Sequence, residues 1–454
     1  MNRHRDNQNG TTRLRARGTI LIVTIWVTMI LAGLVLVFAR SMRVSAYGAA
    51  NTIASQQAEM ILDGAVRYVT SQVSSGEVDM SQDMTDQYEA MPVKDGYFWV
   101  VRPDPESDRE VEFGLTDEAG KLNLNTASLE MLEKLPGMTA ELAASIVDWR
   151  DEDDEITEGG AESEYYLLEA NPYTCKNAPL ESVEEILLIK GGTQTILYGE
   201  DTNHNGMLDD NEDDGDLTDP PDNANGHLEG GLYEYVTVYS MEENVDSEGN
   251  ARINVNDPQA QARTELQSLL EDTFTDERAA EILTRIAGSQ ENILAFYFAS
   301  GMKAEEFAKI ADRITTSAEQ TMTGLININT APPEVLQCLP GLEEDDVANM
   351  IKVRENTEDS HSMAWIVDAL DQEKAVAIGS LITGRSSQYS ADIVSVSGNG
   401  RAFCRGKVVL DALGSPSKIK YWKSLTDLGW PLDREILTTL KSGQSLEYGL
   451  SFPH

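Results

Sequence analysis

The residues best suited to chemistry in this chain are oxygen ligands. Asp201-Thr202-Asn203-His204-Asn205-Gly206-Met207-Leu208-Asp209-Asp210-Asn211-Glu212 carries acids or amides at positions 1, 3, 5 and 9, glycine at 6 and glutamate at 12. That is the EF-hand pattern for Ca²⁺. Asp201, Asn203, Asn205 and the Met207 carbonyl would bind the ion, Asp209 through water and Glu212 with both oxygens. Gly206 allows the sharp turn, and Leu208 supplies an apolar anchor. No clear helices flank the segment, so the expectation is an isolated Ca²⁺ loop; the alternative is a solvated acidic linker. A second cluster, Asp151, Asp153, Asp154, Glu162 and Glu164, matches no standard loop, but Gly159-Gly160 would let its two segments fold back around one ion.

Other chemistry is harder to find. The chain has five scattered histidines and three cysteines, Cys175, Cys338 and Cys404, with no CxxC. An odd count permits at most one bridge, and Cys175–Cys338 is the pair considered. There is no HExxH, GxSxG, P-loop or dinucleotide fingerprint, so neither an active site nor a small-molecule substrate is expected. The net charge is −42, from 77 acidic and 35 basic residues. Such a surface repels nucleic acid and anionic headgroups and attracts divalent cations. The charge is uneven: residues 151–164 hold eight acids and residues 200–222 hold ten, with no Lys or Arg in either.

The elements that must position these acids read as follows. No proline precedes Pro92, and the pattern from Thr19 to about Val73 is one continuous helix. Its first half, Thr19 to Phe38, is uninterrupted apolar sequence of membrane-spanning length. In its second half Ala54, Ala58, Ile61, Leu62, Ala65, Val66 and Val69 form one apolar stripe, most simply laid on a sheet. Strand-like runs occur at 96–101 and 110–115, and again at 389–397 and 402–410, the last two joined by Gly398-Asn399-Gly400. Strands at both ends with a helical middle indicate a β-domain interrupted by a large insertion.

The middle is repetitive. Leu122-Asn123-Leu124-Asn125-Thr126, Ile253-Asn254-Val255-Asn256-Asp257 and Ile326-Asn327-Ile328-Asn329-Thr330 share one pattern, and each precedes a helix. After the first and third come Leu135-Pro136-Gly137 and Leu339-Pro340-Gly341, the turn of a helix-hairpin-helix unit; the middle copy lacks Pro-Gly and is weak. In nucleic-acid binders such a turn offers backbone N–H groups to a phosphate. Here Glu343, Glu344, Asp345 and Asp346 follow Gly341, and carboxylates at that point oppose a phosphate. The units are expected to be packing elements.

The N-terminus carries the family signal. Arg13, Arg15 and Arg17 lead to Gly18, and the apolar run starts at Thr19. This resembles a type IV pilin-like leader, cut after Gly18 by a prepilin peptidase and leaving Thr19 as a methylated N-terminus. Most pilins have glutamate at the fifth mature position; here it is Val23. In order along the chain follow Lys121-Leu122-Asn123-Leu124-Asn125-Thr126-Ala127, Val147-Asp148-Trp149-Arg150-Asp151-Glu152-Asp153-Asp154-Glu155, Gly160-Ala161-Glu162-Ser163-Glu164-Tyr165-Tyr166, Asn177-Ala178-Pro179-Leu180, Tyr235-Val236-Thr237-Val238 and Ile328-Asn329-Thr330-Ala331-Pro332. The ordered set resembles the K-type minor pseudopilin of the type II secretion system.

The resemblance implies an α+β fold: a long N-terminal transmembrane helix, a pilin-like antiparallel sheet and a large inserted α-helical domain with helix-hairpin-helix units. The corresponding division is a leader at 1–18, a membrane segment at 19–38, pilin-like parts at 39–118 and 386–454, and the insertion at 119–385. It implies a calcium site within 151–164, non-enzymatic assembly at the tip of a periplasmic pseudopilus, and an inner-membrane anchor with a cytoplasmic N-terminus. The implied partners are other minor pseudopilins and the major pseudopilin. Residues 249–322 and the acidic stretch 200–222 depart from the family pattern. The competing reading is a membrane-anchored helix-hairpin-helix DNA receptor, which the charge opposes.

Overall fold

The structure, a computed structural model, describes residues 15–446 except 77, 79, 81–82, 105–106, 216, 219–221, 287 and 358–361. Residues 1–14 of the expected leader lie outside the described residues, and for Gly18 and Thr19 only the helical backbone is described.

Helix α1 runs unbroken over Arg15–Ser75, about 90 Å at 1.5 Å per residue. Its halves meet different surroundings. From Ile20 to Phe38 the large apolar side chains are exposed, whereas Ala54, Ala58, Ile61, Leu62, Ala65, Val69 and Val73 are buried at helical spacing. That stripe lies on a sheet of seven strands: β1 Met91–Val93, β2 Gly96–Pro103, β3 Val111–Phe113, β4 Thr116–Asp117, β5 Gln388–Val396, β6 Phe403–Asp411 and β7 Lys418–Ser424. The order is β1-β2-β5-β6-β7, with β3 on β2 and β4 on β5, and every pair is antiparallel. Phe98, Val100, Ala391, Ile393, Val408 and Leu410 meet α1. The opposite face presents Trp99, Val101, Val394 and Val396 to Leu432, Ile436 and Leu440 of the C-terminal region. Coverage on both faces explains the unbroken apolar runs Tyr97–Val101 and Val408–Leu410.

Between β4 and β5 the chain builds three modules on one plan. Each opens with a two-residue strand paired in parallel with one that closes the module: Leu122–Asn123 with Val236–Thr237, Ile253–Asn254 with Ile314–Thr315, and Ile326–Asn327 with Ile382–Thr383. An asparagine faces a threonine each time. The asparagine accepts from the backbone two residues on, and so does the threonine hydroxyl. The second asparagines, Asn125, Asn256 and Asn329, donate to the carbonyls of Leu180, Gln290 and Gly384. The middle copy, weak in sequence, therefore closes as its neighbours do.

Within the first module α2 Leu129–Glu133 turns into α3 Ala140–Arg150; the middle one has α4 Ala260–Thr273 and α5 Asp276–Arg285; the third has α6 Pro333–Gln337 and α7 Glu344–Glu355. Arg150 and Arg354 end α3 and α7 alike, each donating to two carbonyls of its own opening segment. Lys134 donates to the Leu339 carbonyl at 3.1 Å, joining the first and third modules. One apolar core runs through all three. The acids after Gly341 have local partners: Asp346 accepts from the Glu343 backbone and from Lys374 at 2.6 Å, at the N-terminal end of α7.

Asp117, the last residue of β4, is buried and accepts four hydrogen bonds. They come from Ala119 N, Asn327 Nδ2, Thr330 Oγ1 and Ser386 Oγ. One carboxylate thus ties the point where the chain leaves the sheet to the point where it returns.

The middle module is braced by Arg278, which pairs with Glu306 at 2.8 Å and also donates to the Gly301 carbonyl. The bond from Arg278 holds the Glu306 carboxyl down at about 2. A depressed acid contributes stability above its unfolded pKa that is lost as pH falls through the folded one. The contribution is therefore full above about pH 4.5 and gone near pH 2. After solvent screening the pair is worth about 1 kcal/mol. Arg278→Gln should lower the melting temperature at pH 6, and the gap from wild type should close as the pH falls to 2.5. A gap that is constant with pH would show that the pair contributes nothing.

Candidate metal centre

The expected calcium loop is folded as a compact turn against the sheet. Asp201, Asn205 and Glu212 are all buried. Asp201 accepts from Asn205 N at 3.1 Å and Gly206 N at 2.8 Å. Glu212 closes the loop, accepting from Thr202 N at 2.8 Å with one oxygen and from Asp209 N at 3.0 Å with the other. Asn203 and Asn205 both reach Asp209 Oδ2, and Asn205 Oδ1 accepts from Met207 N. Gly206 has φ +71°, and a Cβ there would lie 2.6 Å from Pro103 Cγ. The position is open to glycine alone on both counts.

The electrostatics point one way. Burial, with the Glu212 charge adding, pushes the Asp201 carboxyl up to about 7. Asn203 Oδ1 is buried with no hydrogen-bond partner. Three carboxylates, two amides that present oxygen on a half-turn of the side chain, and a carbonyl match the donor set of a hard cation. The residues fit Ca²⁺.

The second acidic segment sorts differently. Asp151 and Glu162 lie near Asp148, which sequence reasoning did not select; Asn177, likewise unselected, donates to the Asp153 carbonyl and to Asp154. Asp148 Oδ2, Asp151 Oδ1, both Glu162 oxygens and Asn177 Oδ1 are buried without a partner. Burial, then the Asp148 charge, raises the Glu162 pKa; burial, then Asp153, raises that of Asp151. Gly160 faces this cluster closely: a Cβ there would sit 2.1 Å from Asp148 Oδ2. Leaving several carboxylate oxygens unpaired inside a protein is costly, and a cation with oxygen ligands removes the cost. Asp153 and Asp154 flank these groups on the same segment, and Glu164 lies two residues beyond Glu162. Asp153 accepts from Glu155 N, Asp154 from Asn177 Nδ2, and Glu164 lies in the first turn of a short helix.

Among the described residues no three His, Cys, Asp or Glu side chains already converge as a metal cage. Both clusters depend on amide and backbone oxygens as well as acids. The three cysteines are free, so the Cys175–Cys338 bridge is not formed. Burial pushes the Cys175 thiol up to about 11 and that of Cys338 up to about 12, as expected of packed, unreactive thiols.

A long helix, apolar and exposed in its first half and laid on an antiparallel sheet in its second, is a pilin-like architecture, and that first half is long and apolar enough to cross a membrane. Residues 117–198, which hold the first module's opening strand and both halves of the second cluster, match the family model of type II secretion system protein K. That match, over 82 of the 454 residues, ties this segment of the insertion to protein K of the type II secretion system. A chain in "The Crystal Structure of the GspK-GspI-GspJ complex from enterotoxigenic Escherichia coli Type 2 Secretion System" is similar at 14% identity, with 81% of this chain and 96% of that chain covered and a TM-score of 0.38. Comparison with curated proteins gives no match.

Proposed function

We propose that this chain is a minor pseudopilin that caps the tip of the type II secretion pseudopilus, supporting its assembly and the export of folded proteins across the outer membrane. The observation that carries the reading is the division of α1: exposed apolar side chains from Ile20 to Phe38, then a stripe buried on the sheet. Such a helix needs apolar cover along its first half, from the inner membrane before assembly and from the helices of other pseudopilins, minor and major, after it. Ile53 and Met60, seven residues apart and 65% and 74% exposed, extend the uncovered face beyond the membrane half. The basic leader favours a cytoplasmic N-terminus with the bulk in the periplasm.

Two features favour the tip. The three acidic modules make the subunit too wide to repeat along a thin fibre. Val23 replaces the carboxylate that would need a neighbour's ammonium in an apolar bundle, and a subunit with nothing above it has no such neighbour. Ca²⁺ would fill the 201–212 loop and the Asp148–Glu162 cluster, as a structural ion.

Gold-labelled antibody against the modules should mark one end of sheared pseudopili, and the chain should co-purify with other pilin-like subunits. Label spaced along the fibre, or long filaments of this chain alone, would contradict the tip assignment.

A further inference from the structure

The calcium loop is anchored by the sheet through a residue outside it. Arg405, in the middle of β6, is fully buried on the face away from α1. Its guanidinium is gripped by Asp392 of β5, Nε to Oδ1 at 3.0 Å and Nη2 to Oδ2 at 2.5 Å. Nη1 and Nη2 also donate to the Asn203 and His204 carbonyls, at 2.5 and 2.6 Å. These are the third and fourth positions of the loop, and both carbonyls lie in the backbone between the Asn203 and Asn205 side chains. His204 there has φ +56°, an uncommon conformation for a non-glycine residue, and its ring stacks on Tyr198 at 4.0 Å. Three more contacts seat the loop: Asn205 Nδ2 to the Pro431 carbonyl at 3.1 Å, Leu208 N to the Asp108 carbonyl, and Gly206 against Pro103.

A buried arginine with no local acid would be prohibitive, and the half-buried Asp392 supplies that acid. The pair therefore fixes the guanidinium, and the guanidinium fixes two carbonyls of the first turn. Turning those carbonyls outward onto Arg405 leaves the side chains of Asp201, Asn203 and Asn205 to the loop's interior.

We propose that Arg405 is the positioning residue of this cation site and that the coupling runs both ways: the sheet holds the loop in its ligand-presenting form, and Ca²⁺ in the loop locks the inserted modules onto the sheet. The proposal rests on the calcium reading above. Reciprocity is obligatory, because whatever docking adds to cation affinity the cation must add to docking.

The test uses the full chain in detergent, with Glu162→Gln throughout to silence the second cluster. Calcium titration is paired with hydrogen exchange in calcium and in chelator. Arg405→Lys keeps the charge for Asp392 but lacks the planar fork that serves an acid and two carbonyls together. It should bind calcium at least tenfold more weakly. In the parent, calcium should slow exchange within the loop and also at 403–407 and 430–432, on the sheet side. In Arg405→Lys the sheet-side slowing should vanish. Unchanged affinity in Arg405→Lys, or calcium-dependent slowing confined to 201–212 in the parent, would overturn the clamp while leaving the site intact. Calcium binding that is absent in the parent, or indifferent to Glu212→Gln, would overturn the site and the clamp with it. Should Arg405→Lys fail to fold, the sheet-side exchange of the parent decides alone.

Discussion

Gly18→Glu should leave the chain as an uncut, unassembled membrane precursor. The peptide bond between Gly18 and Thr19 joins a basic leader to the apolar run, and a peptidase working at the membrane surface must bring that bond to its reacting groups. Glycine presents no side chain there. A glutamate adds bulk and a charge at the mouth of the bilayer, where a carboxylate is costly. Mass spectrometry of the mature wild type should find Thr19 as the first residue, methylated at its amine. The variant should keep the whole leader and be missing from pseudopili. A wild-type chain that begins at Met1 or Asn2, or is cut after Phe38, would refute the assignment.

The second large effect is thermal. Millimolar calcium should raise the melting temperature, and chelator should reverse it. Without the ion, Asp201 and Glu212 repel each other inside the protein, as do Asp148, Asp151 and Glu162. A ligand bound only by the folded state adds about 1.4 kcal/mol per site for each tenfold excess over its dissociation constant. Isolated loops of this kind bind in the range of roughly 0.1 to 1 mM, so two sites at 10 mM supply about 3 to 6 kcal/mol, a shift of several degrees. Glu212→Gln should remove one share and Glu162→Gln the other. Glu155→Gln, outside both sets of expected ligands, should remove neither. Equal melting curves in calcium and chelator would mean that these acids bind no ion.

Local signals explain what was legible in the sequence. The absence of proline and the helical stripe placed α1 within four residues at its start and two at its end, and β5 with β6 lay within a residue or two of the expected runs, because alternation and Asn-Gly are short-range signals. β7 was missed: Lys-Ile-Lys-Tyr-Trp-Lys-Ser is an edge strand whose charges guard it against pairing further, and those charges hide its strand character. The closing threonines Thr237, Thr315 and Thr383 were missed because each pairs with an asparagine more than fifty residues away. The second cluster was half seen. Asp151 and Glu162 lay in an obvious acidic run, whereas Asp148 sits on a buried helix face and Asn177 on a later loop. A charged residue among Ile146, Val147 and Trp149 was the available sign, since such a position is seldom filled by an acid without a partner. Arg405 had no local sign at all, for its role is made by the approach of a loop two hundred residues earlier in the chain.

The four bonds at Asp117 have a mechanical consequence. At the proposed tip, a growing fibre would push on this subunit through α1, and α1 would hand that load to β2, β5 and β6, on which it lies. The modules hang between β4 and β5 with entry and exit stapled at one carboxylate. Force along the sheet therefore passes from β4 to β5 directly, through their paired residues Tyr389 and Asp117, and does not stretch the chain between them. The modules ride on the load path without being part of it, so a whole repeat such as Ile253 to Thr315 can be carried at the tip without weakening the strut beneath.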